Sequence, residues 1–262
     1  MKKKISKILI IAMCISMIGV LTACGNKENK NEKYIVSTEA TYPPFDTTDD
    51  NGELTGFDME LVKAIADDQG FEVEFQPLEF DALIPALDSD STDIVAAALT
   101  ISDDRQKEVE FSDGYYETGT CILVNKNNTN ITDWDSFSEN SGLKVAAQTG
   151  TAQADTAKEL KKEGKVADAV TLNQVTTALQ QLQNGDIDAV ILDKPVATEI
   201  QNSQGDKFKM VGGLYSGSEG VFGLAVKKGN DELVEKLNKG LKNIKDNGKY
   251  DKLCKKWDIE VK

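Results

Sequence analysis

From residue 34 to the C-terminus, short apolar runs alternate with stretches in which apolar positions recur every third or fourth residue. The runs predict strands over residues 35–37, 73–75, 94–99, 120–124, 144–147, 169–172, 189–192, 209–211 and 223–226. The longer period predicts helices over 58–68, 82–88, 152–163, 174–184, 195–202 and 231–247. Alternation of this kind builds an α/β protein with largely parallel sheets, because each helix carries the chain back across a sheet face. The predicted helix ends carry suitable residues. Asp58 is placed to cap the first helix, with Met59, Val62, Ile65 and Ala66 as the apolar stripe behind it. Lys161, Lys162 and Gly164 close the helix over 152–163, where cations and a glycine complement unpaired carbonyls. No repeat, low-complexity block or Pro-rich linker divides this region, so two domains, if present, are not two beads on a string.

The first 33 residues follow a different pattern. Lys2, Lys3, Lys4 and Lys7 precede an apolar stretch over 8–21, which ends in Leu21, Thr22, Ala23 and Cys24. The stretch is shorter than the roughly 20 residues of a membrane span and fits a secretory signal. Its end fits a lipobox, so residues 1–23 are expected to be a lipoprotein signal peptide, with Cys24 acylated after cleavage. Residues 24–33 are polar and read as a flexible tether, which would leave the folded chain outside the cell on a lipid anchor.

Charge and cysteine usage narrow the partners. Removing residues 1–23 takes four lysines and no acids from a chain of net charge −14, which leaves −18. Such an acidic chain is not expected to bind nucleic acid. Cys14 departs with the signal and Cys24 carries lipid, so only Cys121 and Cys254 remain. Their separation fits neither a metal site nor a disulfide framework, and both are expected to pack without a bridge. No metal or cofactor is expected.

The 30 basic residues include a single arginine, Arg105, and the chain has no histidine. Arginine offers what lysine does not, a planar fork that grips a carboxylate through two parallel hydrogen bonds. Arg105 follows the run over 94–99 by way of Thr100, at the carboxyl end of a predicted strand. Gln148, Thr149, Gly150 and Thr151 occupy a second strand exit, ahead of a helix whose free amides suit an anion. Asp193 occupies a third, just before Pro195, where a carboxylate suits an ammonium group. Two anion grips and one cation grip outline an amino-acid zwitterion. Without histidine, and with no nucleophile beside a base in sequence, no catalytic residue is expected.

Several segments together carry a family resemblance. Gly56, Phe57, Asp58, Met59, Glu60 and Leu61, with Ala64, Ile65 and Ala66, resemble the signature of extracellular solute-binding proteins of polar amino-acid ABC importers, the solute-binding protein family 3. Tyr42 to Phe45 and the stretches 80–87, 100–113, 148–151, 188–193 and 248–257 are similar to the same family. The resemblance implies a two-lobed, type II periplasmic-binding-protein-like fold with a two-strand hinge. Lobe one would comprise 34–115 and 222–262, lobe two 119–218, and the crossings would lie at 115–118 and 219–221. It implies that Arg105 takes a ligand α-carboxylate with the Thr100 amide and Thr151. Asp193, the Ala98 carbonyl and the Thr100 hydroxyl would hold the α-ammonium, Phe80 and Tyr42 would sandwich the side chain, and Glu39 would reach its far end.

The glutamine-binding and lysine/arginine/ornithine-binding branches are the most similar, each with departures. Gln148 and Leu192 replace a lysine and a histidine of the first, and Ala97 and Ala98 replace two serines of the second. The implied ligand is arginine, lysine or ornithine, or else glutamine, with cystine also in range. The implied partners are an ABC permease and its ATPase, served by a monomer. The alternatives are an amino-acid-sensing or adhesive module and, on the same fold, a dehydratase-type enzyme.

Overall fold

The structure is a computed structural model that describes residues 32–260. The expected signal peptide, Cys24 and nearly all of the tether lie outside the described residues. In chain order come β1 (Lys33–Thr38), β2 (Thr47–Thr48), β3 (Leu54–Thr55), α1 (Phe57–Gln69), β4 (Glu72–Pro77), a 3-10 turn (Phe80–Ala82) and α2 (Leu83–Asp88). β5 (Ile94–Val95), α3 (Arg105–Glu108), β6 (Val109–Phe111), β7 (Tyr116–Thr118), β8 (Thr120–Asn125), α4 (Trp134–Glu139), β9 (Lys144–Gln148) and α5 (Ala152–Lys162) follow. The remainder is β10 (Asp168–Leu172), α6 (Val175–Asn184), β11 (Ala189–Asp193), α7 (Lys194–Ser203), β12 (Phe208–Val211), β13 (Gly220–Phe222), β14 (Ala225–Lys227), α8 (Asp231–Asp246) and α9 (Lys249–Lys256).

Two five-stranded sheets make two lobes, with orders β4-β1-β5-β14-β6 and β10-β9-β11-β8-β12. In each, one strand runs against its neighbours: β14 is antiparallel to β5 and β6, and β8 to β11 and β12. Those two strands follow directly on the crossing strands β13 and β7, which pair antiparallel with Tyr116 opposite Phe222. Every other strand arrives after a return across the sheet, so the carboxyl ends of β1, β5, β9 and β11 share the edge where a ligand crevice forms in α/β folds. Aromatic rings brace the crossing: Phe45 packs on Phe222 at 5.1 Å and on Tyr116 at 5.2 Å.

The structure revises several expectations. The apolar run over 94–99 pairs only at Ile94–Val95, because the backbone turns at Ala98, whose φ is 45°. Of the predicted strand over 223–226 only 225–226 are strand, in β14; residues 223 and 224 link it to β13. Asp58 is not the cap of α1; Gly56 holds that position and the Asp58 carboxylate turns into the core. Helix α4, opened by a capping box between Asp133 and Ser136, and helix α9 are additional elements. Cys121 and Cys254 are buried free thiols. Among the described residues no helix is long and apolar enough to cross a membrane.

Candidate ligand-binding site

The four strand ends surround a small cavity lined by Tyr42, Phe80, Ala98, Thr100, Arg105, Gln148, Thr151, Ala152, Gln153 and Asp193. Eight of the nine predicted residues are in that lining; Glu39 is not. Two glycines make the approach possible. At Gly150, φ is +79° and a Cβ would stand 3.2 Å from the Asp81 Cβ of the facing lobe. At Gly220 a Cβ would meet the Thr100 Cγ2 at 2.9 Å, so β13 passes against the site only as glycine. Thr100 and Phe222 form a β-bridge, which ties the Thr100 turn to the crossing.

Arg105 lies half-buried with its guanidinium carbon 5.6 Å from the Phe80 ring centre. One terminal nitrogen donates to the Thr100 carbonyl at 2.7 Å and the other to the Gly150 carbonyl at 3.0 Å, across the cleft. A guanidinium has five N–H donors, so three remain for an anion. Thr151 caps α5: its hydroxyl accepts from the Ala154 amide at 3.1 Å and donates to the Gln148 carbonyl at 2.7 Å. The hydroxyl is thereby committed within the chain, and what this end can offer an anion is the first amides of α5. A helix leaves its first amides without internal acceptors, and Ala152 and Gln153 line the cavity.

Asp193 supplies the opposite charge. It is buried, and its Oδ2 accepts from the Tyr42 hydroxyl at 2.7 Å while Oδ1 accepts from the Thr118 hydroxyl at 2.7 Å. The Asp193 amide in turn donates to the Tyr42 oxygen at 3.2 Å. Burial pushes this carboxyl up to about 6, against the hydrogen bonds and the Arg105 charge that favour its ionised form. Tyr42 is thus anchored by its hydroxyl, which orients the ring as one wall. Ala98 presents its turn to the same cavity in a left-handed conformation that costs an alanine about 1–3 kcal/mol, held by a 2.7 Å bond from its amide to Asp58.

Glu39 stands beside the lining. Its carboxylate accepts from the Thr41 amide at 2.9 Å and the Thr41 hydroxyl at 2.6 Å, and also from Gln148. Burial raises its pKa in spite of these bonds. Gln148 donates to the Asn173 carbonyl at 2.9 Å as well, so its amide bridges both lobes. The signature of the bacterial extracellular solute-binding proteins, family 3, matches residues 34–260.

The chain belongs to this family.

Among family-3 relatives, the arginine-binding extracellular protein ArtP of Bacillus subtilis (strain 168) is 35% identical over 256 residues, covering 95% of this chain and 96% of ArtP. An ancestral arginine-binding protein bound to arginine has 41% identity and a TM-score of 0.79, covering 87% of this chain and 98% of that one. An ancestral arginine-binding protein bound to glutamine has 40% identity and a TM-score of 0.78 over the same shares. Ala152 and Gln153, which line the cavity, and Thr118, which bonds Asp193, are not among the residues that the sequence pattern singles out. Ala152 and Gln153 follow the predicted Thr151 directly and lie within reach of the strand-exit argument. Thr118 sits in a crossing strand and meets Asp193 from 75 positions away, which no local pattern reveals.

Proposed function

We propose that this family-3 protein captures a free L-amino acid between its lobes and delivers it to an ABC permease with its ATPase, with arginine, lysine or ornithine preferred to glutamine or cystine. One observation carries the reading. Arg105 and Asp193, from opposite lobes, line one cavity and act on each other's charge, and that pair of opposite charges is the complement of a zwitterion. Residues 34–115 with 222–262 close on 119–218 about crossings at 115–118 and 219–221, and a ligand that touches both lobes selects the closed state. Arg105, the Thr100 amide and the end of α5 at Thr151 take the carboxylate; Asp193, the Ala98 carbonyl and the Thr100 hydroxyl take the ammonium. Phe80 and Tyr42 hold the side chain, and Glu39 and Gln148 meet its far end. The likeness to arginine-binding relatives and the desolvated Glu39 carboxylate support the cationic preference. The protein binds rather than converts its ligand and works as a monomer held to the membrane by lipid on Cys24.

A thermal-shift screen of the mature chain with the natural amino acids and ornithine tests the class, because a ligand that binds the native state stabilises it by mass action. A rise with a cationic amino acid is expected, and no rise with any amino acid refutes the reading. Glu39→Gln tests the choice of ligand. Removing the buried charge is expected to shift the arginine-to-glutamine affinity ratio toward glutamine by roughly tenfold, equivalent to about 1.4 kcal/mol. Calorimetric titration with both amino acids reads the ratio; an unchanged ratio removes Glu39 from the specificity argument.

A further inference from the structure

Polar contacts bridge the two lobes at several points. Arg105 reaches the Gly150 carbonyl at 3.0 Å, Gln174 reaches the Glu79 carboxylate at 3.5 Å, and Gln148 bonds Glu39. Tyr42 and Asp193, only 7% and 3% exposed, are joined twice. The Tyr42 hydroxyl donates to Asp193 Oδ2 at 2.7 Å and accepts from the Asp193 amide at 3.2 Å. Tyr42 belongs to the segment after β1 in the first lobe, and Asp193 ends β11 in the second. A single oxygen thus acts as donor and acceptor across the cleft.

Both ends of this contact sit on well-tied backbone. In the first lobe, the Tyr42 amide donates to the Asp46 carbonyl at 2.8 Å, and the Tyr42 carbonyl accepts from the amides of Phe45 at 3.1 Å and Asp46 at 3.2 Å. In the second, Asp193 pairs with Thr120 of β8, and the Lys194 amide donates to the Gly119 carbonyl at 2.9 Å. Thr118, in the crossing strand β7, donates to the other carboxylate oxygen at 2.7 Å. One carboxylate therefore ties the first lobe and the crossing to the second lobe. A side-chain hydrogen bond is lost by about 3.6 Å, so a small hinge rotation breaks the phenol contact. Each carboxylate oxygen can accept a second bond, so a ligand ammonium joins the two hydroxyls on Asp193 without displacing them.

We propose that the Tyr42 hydroxyl is a latch between the lobes, which closes onto Asp193 beside the bound ammonium and sets how long the ligand stays enclosed. The latch deepens the proposed ligand reading and rests on it for its kinetic readout. As a wall of the cavity Tyr42 needs only an aromatic face, which phenylalanine also has; the hydroxyl adds the two bonds between lobes. An ionised Asp193 makes the phenol bond charge-assisted, and an ammonium beside it keeps the carboxylate ionised, so ligand and latch reinforce each other through one side chain. The other titratable groups that face Asp193 are Arg105 in the cavity and Cys121 on β8.

Tyr42→Phe, which keeps the ring, tests the latch by stopped-flow exchange of bound L-arginine. Dissociation is expected to be at least about tenfold faster and association to change by less than about threefold, because the two bonds form after the ligand has entered. Dissociation within about twofold of the unsubstituted chain overturns the proposal, as does a loss confined to association. Thermal unfolding of the free variant checks the fold. Carbon-13 NMR titration of the Asp193 carboxyl tests the bond without ligand. The Tyr42 hydroxyl holds this carboxyl down against burial, so the midpoint is expected to lie higher in Tyr42→Phe than the value of about 6 in the unsubstituted chain. The same midpoint in both overturns the proposal, and so does a freely exchanging Tyr42 hydroxyl proton in the unsubstituted chain, whatever the variant does. Failure of the unsubstituted chain to bind any amino acid counts against the proposed function, and the latch is then judged on the two NMR measurements.

Discussion

Arg105→Lys is expected to weaken amino-acid binding by about 30- to 150-fold, the equivalent of 2–3 kcal/mol, while leaving the fold intact. The positive charge survives the substitution, so the loss measures geometry. In the structure the guanidinium bonds the Thr100 carbonyl of its own lobe and the Gly150 carbonyl of the other, with its plane over Phe80. It keeps three donors free for a carboxylate in the same plane. A lysine ammonium has three donors on one atom, too few and too close together to hold two carbonyls and both oxygens of a carboxylate. The loss therefore falls on ligand affinity and on the contact that spans the cleft, and little of it falls on the core. Calorimetry reads the affinity, and thermal unfolding without ligand checks the fold. An affinity within about threefold of the unsubstituted protein removes Arg105 as the carboxylate anchor.

How far the sequence led depends on the distance over which each feature is decided. The strand exits were legible because β-strands followed by helices place their carboxyl ends on one edge, and Thr100, Thr151 and Asp193 each sit within a few residues of such an end. Asp58 was misread as a helix cap. Its partners Ala98 and Tyr115 lie 40 and 57 positions away, and a local reading sees only an acid at the start of an apolar stripe. The run over 94–99 looked like a six-residue strand because alanine carries no mark of a left-handed backbone; the turn is imposed by Asp58 from outside. The reversed strands β8 and β14 are as apolar as their neighbours, and their direction comes from the crossings that feed them. Glu39 is the one predicted residue outside the cavity lining, and its carboxylate is engaged with Thr41 and Gln148. Loop conformation decides that, and the sequence does not specify it.

Asp193 gives the second large effect, and its sign distinguishes ligand binding from folding. Burial raises this carboxyl from 3.8 to about 6 in the ligand-free cavity. A bound ammonium favours the ionised form, so the pKa falls on binding and a proton held below about pH 6 must leave. Affinity is therefore expected to weaken as pH falls through about 6, by up to tenfold per unit, with close to one proton released at pH 5. Stability of the free protein moves the other way. A carboxyl whose folded pKa is raised adds stability at low pH that is lost as pH rises from about 4 through 6, since the native state alone keeps the proton in that window. Asp193→Asn removes both dependences and, at neutral pH, leaves the ligand ammonium without its buried counter-charge, a loss of about 3–5 kcal/mol or at least a hundredfold in affinity. Calorimetry in buffers of different ionisation enthalpy counts the proton directly. Glu39 is also raised by burial and stands beside the same cavity, so the measurement is repeated in Glu39→Gln. A proton release that survives Asp193→Asn and vanishes in Glu39→Gln would move the titrating contact from the ammonium end of the ligand to its side chain, because each carboxylate is desolvated separately and only the one facing the incoming cation gives up its proton.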